Sequence, residues 1–170
     1  MTSGRRQLIA EAERFVELVR GQHTSDLVVL PELWTVGAFA FEAFAEHAEP
    51  LDGPTARAMS AAAAAAGVWL HAGSLIERGP ADELYNTSLL FGPDGRLSRT
   101  YRKIHRFGFD KGEAALLARG EETVTAVLDG DPTAGLTAGL ATCYDLRFPE
   151  QFRLLVDAGA ELFLVPAGWP

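Results

Sequence analysis

An α/β fold is predicted by three features of this 170-residue chain. Segments of helical period alternate along it with short apolar runs of strand character. The first such run, residues 27–30, is continuous, as in a strand covered on both faces. A Gly92-Pro93-Asp94-Gly95 turn signal separates two later runs and marks a hairpin.

The elements follow in order. Leu8, Ile9, Ala12, Phe15, Val16 and Val19 recur at helical spacing opposite Glu11, Arg14 and Glu17, with Gly21 as the stop. The strand at 27–30 ends at Pro31, which leaves Glu32 at its C-terminal edge. Pro54 suits the first turn of a helix that runs through six consecutive alanines to Gly67. Strands are expected at 68–76, 85–91 and 97–102, the last two forming the hairpin. Further strands are expected at 123–128 and 136–142. Pro149 opens a helix that Gly159 closes, and 162–165 returns as a strand. No repeat or linker divides the sequence, so one domain over 1–170 is expected.

Composition narrows the function classes. A formal net charge of −8 with no basic stripe argues against a nucleic-acid partner. The single cysteine forms no internal disulfide, which favours a reducing cytoplasmic location. The N-terminal stretch lacks the apolar segment of a signal peptide. Residues 61–76 come nearest to a membrane span, but Gly67, Gly73 and His71 interrupt them, and a helix followed by a buried strand is the expectation. No membrane partner is expected. His23, His47, His71 and His105 are scattered and no H-E-x-x-H occurs, so no metal is expected. Phosphate-cradling glycine motifs and a G-x-S-x-G elbow are absent too, and no cofactor is expected. Asn86-Thr87-Ser88 fits a glycosylation pattern, without meaning in the cytoplasm.

Three stretches carry residues suited to thiol-based acyl transfer: LVVLPELW with Glu32, YRKIHRF with Lys103, and GLATCYDLRFPE with Cys143. Lys103 is one of two lysines in a chain that otherwise uses arginine. Glu32 and Cys143 follow apolar strands and Lys103 follows a hairpin arm, and sites in open α/β sheets gather beyond strand ends. Each residue also has an ordinary reading. The cysteine suits a small buried hydrophobe, the glutamate a solvated position or a helix cap, and the lysine a surface charge. Trp34, Phe39, Phe41 and Phe44 suit either a pocket mouth or packing under a loop.

Together these stretches resemble the glutamate, lysine and cysteine motifs of the nitrilase superfamily of carbon–nitrogen hydrolases. YNTSLLFGPDG resembles the hairpin that precedes the lysine in that family, and VPAGWP the segment after the next strand. The resemblance runs in order along nearly the whole chain. It implies a four-layer α-β-β-α sandwich and a catalytic triad of Glu32, Lys103 and Cys143. It also implies a second glutamate supporting the lysine and the substrate, for which Glu113 in FGFDKGEAAL is the match. In the implied chemistry a Cys143 thiolate attacks an amide carbonyl, and Lys103 lowers the thiol pKa. Lys103 and the backbone N–H of Tyr144 then stabilise the oxyanion, while Glu32 moves the protons. Tyr144-Asp145, where nitrile-hydrolysing branches carry Trp-Glu, resembles amidase branches such as the omega-amidases and deaminated-glutathione amidases. Arg147 is a candidate partner for an acid group on such a substrate, or else an ion-pair partner of Asp145 or Glu150.

The implied partner is a small amide, and the implied full-length protein is a homo-oligomer, a homodimer in the family's pattern. Relative to that pattern the first strand and the C-terminal portion are missing, so an incomplete sandwich with exposed apolar sheet edges is expected. Two readings follow: a carboxamide hydrolase, or a catalytically inactive fragment acting only as an interaction module.

Overall fold

The computed structural model describes residues 3–21, 25–130 and 135–169. His23 and Pro170 lie outside the described residues. In chain order the elements are α1 (Ser3–Gly21), β1 (Leu27–Val29), a 3-10 turn (Phe41–Ala43), α2 (Phe44–His47), α3 (Pro54–Ala66), β2 (Trp69–Arg78), β3 (Leu84–Phe91) and β4 (Leu97–Arg102). They continue with α4 (Glu113–Leu116), β5 (Val124–Leu128), β6 (Leu136–Leu140), a second 3-10 turn (Cys143–Arg147), α5 (Pro149–Asp157) and β7 (Leu162–Leu164).

Two sheets form. The first has the order β1-β2-β3-β4, with β1 parallel to β2 and the rest antiparallel. The second has the order β5-β6-β7, with β6 parallel to β7. Trp69, Leu90 and Tyr101 of the first sheet meet Ala126, Leu128, Ala138, Leu140 and Leu164 of the second in one apolar cluster. The outer face of the first sheet, with Val28, Leu70, Leu75 and Leu89, is covered by Ile9, Ala12 and Val16 of α1 and by Met59, Ala62 and Ala63 of α3. On the second sheet α5 packs so close that a Cβ at Gly139 would lie 3.1 Å from Leu155 Cδ1. The result is the expected α-β-β-α layering.

Most expected elements form, with shifted ends. Helix α1 starts five residues earlier than its apolar stripe, because its first turn is held by polar contacts. The buried Arg5 guanidinium donates to His47 O at 3.1 Å and Thr55 Oγ1 at 3.1 Å, and pairs with Glu49. The hairpin turn closes with Gly95 N–H to Gly92 O at 2.9 Å, Gly95 taking φ +78°.

Cover on both faces of 27–30 and 162–165 does not hold among the described residues. Val29 is 43% exposed and Phe163 37%. β1 and β7 are edge strands of their sheets. Val28 and Leu164 point into clusters and Leu27 packs on the cluster between the sheets, while Val29 and Phe163 stay partly exposed at the edges, Phe163 with its ring edge-on to Phe152 of α5.

Candidate active site

Glu32, Lys103 and Cys143 are each set beyond a strand end by a local device. After β1 the chain crosses a bulge in β2 between His71 and Ser74. Gly73 takes φ +63° there, and a Cβ on it would lie 1.9 Å from Pro31 O. Only a residue without a side chain lets the two backbones come this close. Ser74 Oγ then accepts the Leu33 N–H at 3.1 Å. Glu32, between Pro31 and Leu33, is thereby fixed, with its side chain buried.

Lys103 follows β4. Its N–H donates to Asn86 O and its carbonyl accepts the Gly120 N–H, both at 2.9 Å. Cys143 follows β6, at the start of the second 3-10 turn. Its N–H donates to Pro166 O at 3.0 Å, and it takes φ +45°, an uncommon value for a residue with a side chain. Thr142 and Asp145 form a capping box around that turn.

Asp145 ties the cysteine turn to the lysine strand. It accepts from Tyr101 Oη at 2.7 Å, Thr142 N at 2.8 Å and His105 N at 3.0 Å, and it contacts His105 Nδ1 at 2.9 Å. Gln151 donates to Tyr101 Oη at 2.8 Å, and the His105 ring stacks on Phe148 at 3.6 Å. Residues two before and two after Lys103 are thus bound to the residue two after Cys143.

The side chains converge. Lys103 Nζ donates to Glu32 Oε1 and to Glu113 Oε2, both at 2.7 Å. Asn86 Nδ2 donates to Glu32 Oε1 at 2.9 Å and to Glu113 Oε1 at 2.7 Å. Gly168 N–H donates to Glu32 Oε2 at 3.0 Å, and Phe107 N–H to Glu113 Oε2 at 2.8 Å. The Cys143 thiol lines the same cavity as these groups, near enough to Glu32, Lys103 and the Gly168 N–H to feel all three. Glu32, Lys103, Glu113 and Cys143 all line one cavity of about 130 Å³, together with Ala38, Phe39, Phe107, Gly168 and Trp169. A larger cavity, about 450 Å³, opens among Tyr85, Arg102, Arg119 and Glu122. Its lining has no cysteine, lysine or histidine, so chemistry rather than size selects the smaller one.

Electrostatics keeps the expected direction of the Lys103 effect on the thiol but not the expected thiolate. Burial alone would lower the Lys103 pKa, but Glu113 and Glu32 outweigh it and hold the ammonium charged. Cys143 moves up, to about 11, through burial first and then the Glu32 charge and hydrogen bond. Lys103 and the Gly168 N–H pull the other way without prevailing. One ammonium already serves two carboxylates, so a thiolate would add a second uncompensated negative charge to a buried cluster. The resting thiol is therefore protonated.

Of the remaining expectations, Tyr144 is half-buried, its ring against Phe107 and Phe148. Arg147 is exposed on the second 3-10 turn and does not line the cavity. Neither of its expected pairings is seen among the described residues, because Asp145 is engaged as above and Glu150 lies 3.9 Å from Arg153. Of the four aromatics, Phe39 reaches the cavity. Phe44 and Phe41 pack in a core cluster, and Trp34 packs on the first sheet with Nε1 donating to Ala72 O at 2.9 Å. Asn86, read from its sequence only as a glycosylation pattern, is 2% exposed and belongs to the site. An asparagine inside a strand, where that residue is disfavoured, was the available signal.

The layered frame is that of the nitrilase superfamily. Residues 2–169 match the family of carbon-nitrogen hydrolases, and the chain belongs to that family. It is 42% identical over 160 residues to a 2-oxoglutaramate amidase of Paenarthrobacter nicotinovorans, covering 92% of this chain and 54% of that one. The chain spans a little over half the length of the curated relatives it matches. Among solved structures it resembles Saccharomyces cerevisiae Nit3, of branch 10 of the nitrilase superfamily, with TM-score 0.81 and 30% identity over 98% of this chain and 60% of that one. It also resembles a variant of the amidase from Nesterenkonia sp. AN1 in which acrylamide has added to the active-site cysteine. That match has TM-score 0.82 and 25% identity over 96% of this chain and 61% of that one.

Proposed function

We propose that the protein containing this chain hydrolyses a small carboxamide to the acid and ammonia through a thioester on Cys143. The observation that carries this reading is the meeting of Cys143, Glu32, Lys103 and Glu113 in one small cavity. The similarity to a 2-oxoglutaramate amidase supports a small ω-carboxamide of a dicarboxylic acid as the substrate class.

The chemistry runs from a protonated thiol. Sγ attacks the amide carbon as its proton passes to Glu32, the carboxylate that shares its cavity. The developing oxyanion is stabilised by the Lys103 ammonium and the Tyr144 backbone N–H. Protonated Glu32 then gives its proton to the departing nitrogen, and ammonia leaves from a thioester. Glu32 next takes a proton from water, whose oxygen attacks the thioester carbon. Collapse returns the proton to Sγ and releases the acid. Lys103 stays charged throughout, held by two carboxylates. Glu113 accepts three hydrogen bonds and acts as a support rather than a base. Phe39, Phe107 and Trp169 at the cavity favour a narrow acyl group.

A panel of small carboxamides, followed by ammonia release from the full-length protein, tests this. Turnover of ω-carboxamides that is lost in Glu32→Gln supports it. Full turnover in that variant refutes the role of Glu32 as proton carrier. The cytoplasmic location and homodimeric assembly implied by the family resemblance belong to the same proposal, and gel filtration of the full-length protein tests the second.

A further inference from the structure

Asn86 stands at the centre of the site although its side chain touches neither the thiol nor the lysine. It lies in β3 opposite Ile76, and its carbonyl accepts the Lys103 N–H at 2.9 Å. Its Nδ2 reaches Glu32 Oε1 at 2.9 Å and Glu113 Oε1 at 2.7 Å. One residue thus holds the backbone of Lys103 and both carboxylates that flank its ammonium. Its Oδ1 is buried without a hydrogen-bond partner among the described residues. The interior seldom leaves a polar atom in that state without a reason. Here turning the amide over would place that acceptor against two carboxylates, so their charge fixes its orientation.

The consequence falls on Glu32. Its Oε1 accepts from both Lys103 and Asn86, which fills that oxygen. Its Oε2 accepts the Gly168 N–H and has capacity left for the thiol proton. The groups facing Glu32 are Lys103 beyond β4, Asn86 from β3, Cys143 on the second 3-10 turn and the Gly168 N–H beyond β7. Glu113 of α4 stands behind Lys103 and Asn86.

We propose that Asn86 is a positioning residue that clamps Glu32 and Glu113 about Lys103 and leaves Oε2 of Glu32 as the atom that takes the Cys143 proton. The proposal rests on the reading of Glu32 as base. Leucine at this position has the size but no donor. Aspartate has the shape but adds a third carboxylate.

The test compares the full-length wild type with Asn86→Leu and Asn86→Asp in two assays across pH. One is ammonia release from a small carboxamide. The other is alkylation of Cys143 by iodoacetamide, read by mass spectrometry, which needs no amidase activity. A carboxylate that loses an N–H donor holds its proton more tightly, so the acid limb of both profiles moves up by about one pH unit in Asn86→Leu. Its kcat falls by ~10–100-fold, the range for a misplaced catalytic group, while KM stays within about threefold. Asn86→Asp falls further at neutral pH and recovers in part where the new carboxyl is protonated.

A folded Asn86→Leu with kcat within twofold of wild type and an unmoved limb overturns the proposal. If the variants do not fold, the side-chain amide protons of Asn86 in the wild type are read by NMR. The clamp requires that Glu32→Gln shift one of them and Glu113→Gln the other, and a pair that ignores both changes overturns it. A wild type that releases no ammonia, but whose alkylation limb moves in Asn86→Leu, sinks the amidase reading and leaves the clamp standing.

Discussion

Replacing Gly73 by alanine tests how the fold places the base. The new Cβ would lie 1.9 Å from Pro31 O and 2.9 Å from Leu30 O, where real contacts require at least 3.0 Å. Both obstacles are backbone, so no side chain can swing aside. Pro31 has to retreat by roughly 1 Å, and it carries Glu32 with it, since a displacement of about that size in a positioning element is enough to lose ~10²-fold in rate. The φ of +63° adds a penalty of about 1–2 kcal/mol for a residue with a Cβ. The expected outcome for the full-length Gly73→Ala protein is a loss of kcat near a hundredfold, with a lowered melting temperature. Ammonia release and a thermal melt measure the two effects. A variant that melts like wild type and keeps its kcat within twofold would show that the β2 bulge does not position Glu32.

Two further outcomes are expected. Lys103→Met leaves Glu32 and Glu113 buried without a cation, and urea unfolding should show a loss of roughly 3–5 kcal/mol, the usual result of removing one partner of a buried pair. A loss under about 1 kcal/mol would contradict a single ammonium holding two buried carboxylates. His71 is fully buried, and burial lowers its pKa from 6.5 to about 4. The unfolded chain therefore binds the proton first, so this stability is present above pH 6.5 and is lost as pH falls towards 4. The wild type should lose about 3 kcal/mol more than His71→Leu between roughly pH 7.5 and 4, and parallel pH profiles would refute the assignment.

The placement of the nucleophile and its base was legible because it depends on local order: an apolar strand, a breaking residue, then the reactive side chain. Pro31-Glu32 follows that order, and Cys143 comes directly after the expected strand 136–142. Glu113 was legible from its motif alone. What escaped depends on contacts between distant segments. The direction of the Cys143 shift turns first on its burial and then on the Glu32 carboxylate beside it, and no local pattern states either. Asn86 reads only as part of a strand and of a glycosylation pattern without meaning, because the triplet carries no record of its contacts. Arg147 looked like a substrate partner because it is near Cys143 in sequence, yet the 3-10 turn points it to solvent. Burial of β1 was overread for a similar reason: an apolar run does not distinguish an edge strand from an inner one. The start of α1 escaped because Arg5, a polar residue, holds it.

Thioester chemistry at Cys143 is tested most directly by ammonia release from a small ω-carboxamide, with full-length wild type set against Cys143→Ala. Cys143 contributes one small buried side chain, so the variant should fold like wild type. Sustained release is expected from the wild type, and release at the uncatalysed background from Cys143→Ala. Comparable release by both would contradict a cysteine nucleophile.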